Sequence, residues 1–222
     1  MNYDQIITTL NKSKREFTEK PTNFLCIDAS DKYLRADIKV MIFGQETNSW
    51  YGDYINNNDT QYLLKIYNDF FNSDNCYTYA GQFWNGVGKL KLKLEEEFSK
   101  QNKSVGFLWN NIIKVGRSGK KGLPNQDILD WIEPSFLTIQ EEINFYKPNI
   151  VIFFTGPNYD KFIKKAFPDV NFESFSKKTP RELARLKSQH LPLKSIRTYH
   201  PNYLWRTGFY DYLDLINTWI KS

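Results

Sequence analysis

Four short apolar runs, separated by stretches of helical spacing, constrain this chain more than any other feature. The strongest is Asn149 to Phe154, whose core Ile150-Val151-Ile152-Phe153-Phe154 is closed by Thr155-Gly156-Pro157. Ile38 to Phe43 is a second, stopped by Gly44. Val105 to Trp109 is a third, running into Asn110-Asn111, and Ile196 to Tyr199 is a fourth, ending at His200-Pro201. Continuous apolar runs of this length suit strands buried on both faces. Between them lie helical patterns: Tyr3, Ile6, Ile7 and Leu10; Asp59 to Phe71; Trp84, Val87, Leu90, Leu94 and Phe98; Ile128 to Ile143, broken at Pro134; Asn158 to Phe167; and Phe209 to Ile220. The Lys-Leu alternation from Lys89 to Leu94 also fits a strand, but the wider spacing favours a helix. Residues 171–194 fit a short hairpin, or a strand followed by a helical turn. Strands alternating with helices imply an α/β domain, three-layer α/β/α, with a mainly parallel sheet of about four strands.

Composition bounds the rest. A chain of 222 residues without a long Pro/Gly/Ser linker is read as one domain, residues 1–36 forming a helix and lead-in to a core over 37–221. Its longest apolar run is five residues, against about 20 for a membrane span. No signal-like apolar stretch opens it, so a cytoplasmic protein is expected. Cys26 and Cys76 are too few for a disulfide framework or a four-cysteine cluster. With His190 and His200 the only histidines, no metal or other cofactor is expected. A net charge of +5 and a pI near 9.0 permit nucleic-acid contact without demanding it.

In α/β sheets ligands sit at the carboxyl ends of the strands. Here those ends carry Gly44-Gln45-Glu46, Asn110-Asn111, Thr155-Gly156 and His200-Pro201-Asn202. A carboxylate such as Glu46 orients water or stabilises positive charge, while an imidazole such as His200 donates to a departing group. Asn110 offers the donor and acceptor needed to read a base edge. The basic loop from Lys114 through Arg117, Lys120 and Lys121 suits phosphates. Each also has a plain reading: a solvated carboxylate, a capping histidine, a turn asparagine, a surface loop. Trp50, Tyr51, Tyr54 and Phe83 are candidates to stack on a base. No Walker loop, dinucleotide fingerprint or nucleophile elbow is present.

In order, these motifs resemble the uracil-DNA glycosylase superfamily. Phe43-Gly44-Gln45-Glu46 is similar to the family's water-activating Gly-Gln-Asp-Pro-Tyr-His. Leu108-Trp109-Asn110-Asn111 resembles its Leu-Leu-Asn segment, and His200-Pro201-Asn202-Tyr203-Leu204 its His-Pro-Ser-Pro-Leu segment, with Arg206-Thr207-Gly208-Phe209 following. The resemblance implies that Glu46 activates water, Gln45 offers its backbone N–H to the base and Asn110 pairs with it. It implies that His200 stabilises the leaving base, Leu204 is a wedge, and Asn202 and Arg206 touch DNA with Lys114, Arg117, Lys120 and Lys121. Thr47, Asn48 and Ser49 replace the motif's Pro-Tyr-His, and Tyr203 its second Pro, marking a divergent branch.

The implied activity is hydrolysis of the N-glycosidic bond of uracil or another modified base in single-stranded or duplex DNA, by a monomer without a metal. Two alternatives stay open: a non-catalytic nucleic-acid- or protein-binding module on the same fold, and hydrolysis of a small nucleoside-like substrate. Glu46, His200 and Asn110 are expected to line one cleft.

Overall fold

The computed structural model describes residues 1–13, 16–54, 59–79 and 81–221. The first helix, α1 (Asp4–Lys12), and a short α2 (Asp31–Arg35) precede strand β1 (Ile38–Glu46). Then come α3 (Thr60–Tyr67), α4 (Gln82–Ser99), β2 (Val105–Ile113), α5 (Gln126–Trp131), α6 (Ser135–Tyr146) and β3 (Ile150–Phe153). The chain finishes with α7 (Asp160–Ala166), β4 (Asn171–Ser174), β5 (Leu183–Lys187), β6 (Lys194–Thr198), α8 (Pro201–Thr207) and α9 (Phe209–Lys221). Among the described residues, no helix is long and apolar enough to cross a membrane.

The architecture is mixed α/β around one sheet ordered β2-β1-β3-β6-β5-β4. The first four strands are parallel, and β5 and β4 extend the sheet antiparallel to β6 and to each other. The sheet therefore has six strands, not the four expected. The four apolar runs are the parallel strands; the hairpin went uncounted because its outer strand leaves no residue fully buried. An edge strand needs no continuous apolar run.

Backbone proximity explains where the elements end. Gly44 does not stop β1. A Cβ there would stand 2.3 Å from Asn111 Oδ1, so glycine lets the strand pass a neighbouring side chain. A Cβ on Gly106 would lie 2.5 Å from the Tyr33 Cα, which is how α2 seats on β2. Pro134 does break the long helical stretch: it caps α6, which begins at Ser135. The Lys-Leu alternation is helical, with Leu90 and Leu94 buried one turn apart and Leu92 left 63% exposed. Phe43 and Phe153 stack across β1 and β3 at 4.5 Å in the core; burying each stabilises the fold by roughly 1.5–3 kcal/mol.

The lead-in is more ordered than its mixed polarity implies. Residues 21–27 are buried, and the Thr22 and Leu25 N–H groups donate to the Gly116 and Lys114 carbonyls at 3.0 and 2.9 Å. This pairing draws the start of the basic loop into the protein.

Candidate functional site

The connections from β1 to β2 and from β3 to β6 leave in opposite directions, so β1 and β3 flank a topological switch point. At their carboxyl ends lies a cleft of about 300 Å³, lined by Gln45, the turn Thr155 to Asn158, Arg181, Tyr199, His200 and Tyr203. Gln45 Nε2 donates to the Thr155 carbonyl at 2.7 Å and ties the two strand ends together.

His200 caps α8. Its Nδ1 accepts the Asn202 N–H at 3.1 Å, and Pro201 occupies the first helical position. The motif His-Pro-Asn was a signal for this helix, which the periodicity reading missed. Burial lowers the imidazole pKa to about 4, so the ring is neutral at pH 7. With Nδ1 accepting, the ring proton sits on Nε2. Phe83 stacks on this ring at 5.5 Å and 24°, which singles it out among the aromatic candidates. Trp50, by contrast, is buried against Phe70 and Trp109.

Glu46 follows Gln45 on β1, and alternation turns its side chain away from its neighbour's. It does not line the cleft. The Tyr159 hydroxyl donates to its Oε2. Burial raises its pKa, against the Tyr159 hydrogen bond, the Gly122 N–H and the Arg117 charge. The carboxylate thus stands outside the cleft lining, half-buried against Tyr159.

Asn110 does not line the cleft either, contrary to expectation. It is fully buried, its Nδ2 donating to Glu142 Oε2 at 2.8 Å. Its Oδ1 accepts from Lys114 Nζ at 2.6 Å and from the Asn111 N–H at 2.8 Å. Such a carboxamide has little capacity left for a ligand. Its neighbour Asn111 lies on the other face: Asn111 Oδ1 and the Phe83 ring tip both crowd the space above Gly44. The Asn111 carboxamide makes no hydrogen bond with the described residues; the sequence places Asn111 beside Asn110 at the strand end but gives the base-reading role to Asn110.

The DNA-contacting set also divides. Lys114 is not a surface cation: its side chain is 0% exposed and pairs with Glu142 at 2.6 Å. Burial lowers its pKa, against the attraction of Glu142. Leu204, expected as a protruding wedge, is 1% exposed because it faces the core from α8; Tyr203 beside it is 42% exposed. Arg117 and Lys120 both pair with Glu19, at 3.1 and 2.6 Å, which offsets part of the loop's charge. Lys121, Asn202 and Arg206 are exposed. Arg206 Nε donates to the Asn202 carbonyl at 3.3 Å. Among the described residues, no three His, Cys, Asp or Glu side chains are grouped to hold a metal ion.

Neither the family models nor the curated proteins yield a match to this chain.

Proposed function

We propose that this chain is a divergent DNA glycosylase with a three-layer, uracil-DNA glycosylase-like fold, hydrolysing the N-glycosidic bond of uracil or another modified base. The observation that carries the reading is His200: a neutral imidazole whose free Nε2–H stands at the switch-point cleft with Phe83 stacked on it.

The chemistry follows from charge. Breaking the C–N bond leaves a cationic sugar and an anionic base. A neutral imidazole donating through Nε2 stabilises the base oxygen as charge develops there, and a preorganised donor costs no reorganisation. Phe83 offers a stacking face for the extruded base, whose removal from the helix costs a few kcal/mol. Asn111, buried beside Phe83 and outside the cleft lining like Asn110, has the carboxamide not taken up by Glu142 and Lys114, and is the better base reader of the two. Glu46 supplies the negative charge below the sugar or orients the water. Lys121, Asn202 and Arg206 remain as DNA contacts, with Arg117 and Lys120 available once released from Glu19.

One observation favours a second reading, a binding module without catalysis: Glu46 is engaged by Tyr159 and lies outside the cleft lining. A cleavage assay separates the two. Single-stranded and duplex oligonucleotides carrying uracil, hypoxanthine or a mismatched thymine are incubated with wild type, Glu46→Gln and His200→Ala. Base release that falls at least 100-fold in both variants supports the glycosylase. Binding without release, equal in all three proteins, supports the module.

A further inference from the structure

One wall of the cleft includes a segment to which the glycosylase reading assigns no role, the turn between β4 and β5. Arg181 in this turn is exposed and lines the cleft together with Thr155, Asn158 and His200. Its side chain makes no ion pair or hydrogen bond with the described residues. Its backbone, by contrast, is held from behind. Arg197 on β6, 1% exposed, donates Nη1 to the Arg181 carbonyl at 2.8 Å and Nη2 to the Pro180 carbonyl. The same guanidinium donates to Asp160 Oδ2 at 3.0 Å. A buried arginine paired with the partly exposed Asp160 thus fixes the turn that presents a second arginine, which makes no ion pair among the described residues.

The cleft wall beside it has the matching chemistry. Thr155 is fully buried, yet its Oγ1 has no hydrogen-bond partner among the described residues. No carboxylate lines the cleft among the described residues. An unpaired guanidinium, an unpartnered hydroxyl and an exposed Asn158 side chain, with no acidic neighbour in the lining, select an anion with several acceptor oxygens. A guanidinium fork matches a phosphate in particular.

We propose that Arg181, with Thr155 and Asn158, forms a phosphate subsite in the cleft that His200 also lines, so that the cleft recognises a nucleotide by base and phosphate together. This rests on the glycosylase reading for the source of the phosphate, the backbone next to the extruded nucleotide. The subsite itself rests only on the cleft and applies equally to a free phosphate ester.

The test uses a single-stranded pentanucleotide with a central tetrahydrofuran abasic site, which cannot be hydrolysed at that position. Arg181→Gln is expected to weaken its binding about tenfold and to lower the slope of log K against log salt by about 0.7. Replacing the linkage flanking the abasic site with a methylphosphonate should weaken wild type equally and leave the variant unchanged. Equal binding by wild type and variant overturns the proposal. So does a variant loss that persists undiminished with the methylphosphonate, since Arg181 would then act as a diffuse charge. If neither protein binds the strand or a duplex carrying the same abasic site, the glycosylase reading fails by itself, and NMR titration with methyl phosphate decides the subsite. Shifts at Gly156, Asn158 and Arg181 that disappear in Arg181→Gln keep it as a site for a free phosphate ester, and their absence removes it.

Discussion

Replacing Lys114 with methionine tests the most consequential relocation of a basic residue. Lys114 Nζ lies 2.6 Å from both Glu142 Oε1 and Asn110 Oδ1, and both ionic side chains are 0% exposed. In the variant, Glu142 keeps two neutral donors, the Tyr3 hydroxyl at 2.7 Å and Asn110 Nδ2 at 2.8 Å, but loses the lysine with which it forms its ion pair. Removing one partner of a buried pair costs about 3–5 kcal/mol, because the remaining charge is uncompensated. Against a typical total of about 5–15 kcal/mol, that is a large fraction of the stability. For a chain of this size it corresponds to a drop in Tm of about 6–20 °C. Lys114→Met/Glu142→Leu should recover most of the loss, since well-packed apolar replacements of a buried pair are often neutral. Urea unfolding followed by tryptophan fluorescence reads both variants, with an unchanged m-value confirming that stability alone moved. A single variant that loses less than about 1 kcal/mol, the range of an exposed pair, would refute the argument. It would return Lys114 to the surface and to the DNA-contacting set.

The burial of His200 predicts a ring titrating near pH 4, so NMR of its Cε1–H should show no midpoint near 6.5. Because the folded state favours the neutral ring, this group's contribution to stability is present above pH 6.5 and lost as pH falls towards 4; a midpoint near 6.5 would contradict the burial. Tyr159→Phe removes a donor that opposes the upward push on the Glu46 pKa. If ionised Glu46 is required, the acid limb of the base-release profile should move to higher pH, and an unmoved limb would exclude that role. Asn110→Ala should cost about 1–3 kcal/mol by leaving Glu142 and Lys114 short of partners. Asn111→Ala should leave urea unfolding nearly unchanged and abolish discrimination between bases. The opposite pattern would restore Asn110 as the base reader.

The parallel core was legible because buried strands must be apolar throughout: the four runs at Ile38, Val105, Ile150 and Ile196 each begin or fall inside a strand of the sheet. Helices with a buried stripe, such as Trp84 to Phe98 and Phe209 to Ile220, were legible for the same reason. The hairpin carrying Arg181 was only one of two readings, since an edge strand with mixed burial leaves no periodic signature. Helix α8 was missed because its seven residues are too few for periodicity, although His200-Pro201 at its start is a capping signal. The burial of Lys114 had no local signal at all. It depends on Glu142 and on the lead-in at Thr22 to Leu25, 28 residues downstream of it in one case and about 90 upstream in the other.

The site residues differ from their expected places by one position more than once, and strand parity is the reason. Successive side chains on a strand point to opposite faces, so a motif aligned one residue off selects the wrong face without disturbing the apolar pattern. On β2 the pair Asn110-Asn111 divides in this way: the first is bound to Glu142 and Lys114, and the second shares the space above Gly44 with Phe83. On β1, Gln45 enters the cleft while Glu46 turns to Tyr159. On α8 the analogous choice falls between Tyr203, in the cleft lining, and Leu204, in the core. Two like residues in tandem, as at Asn110-Asn111, make the ambiguity complete at the level of sequence, because either one satisfies the motif. Gly44 breaks the tie physically: only a missing Cβ at that position lets the Asn111 carboxamide reach the Phe83 side. Gly44→Ala should therefore displace Asn111 and weaken base discrimination much as Asn111→Ala does, while leaving the Asn110–Glu142–Lys114 network in place.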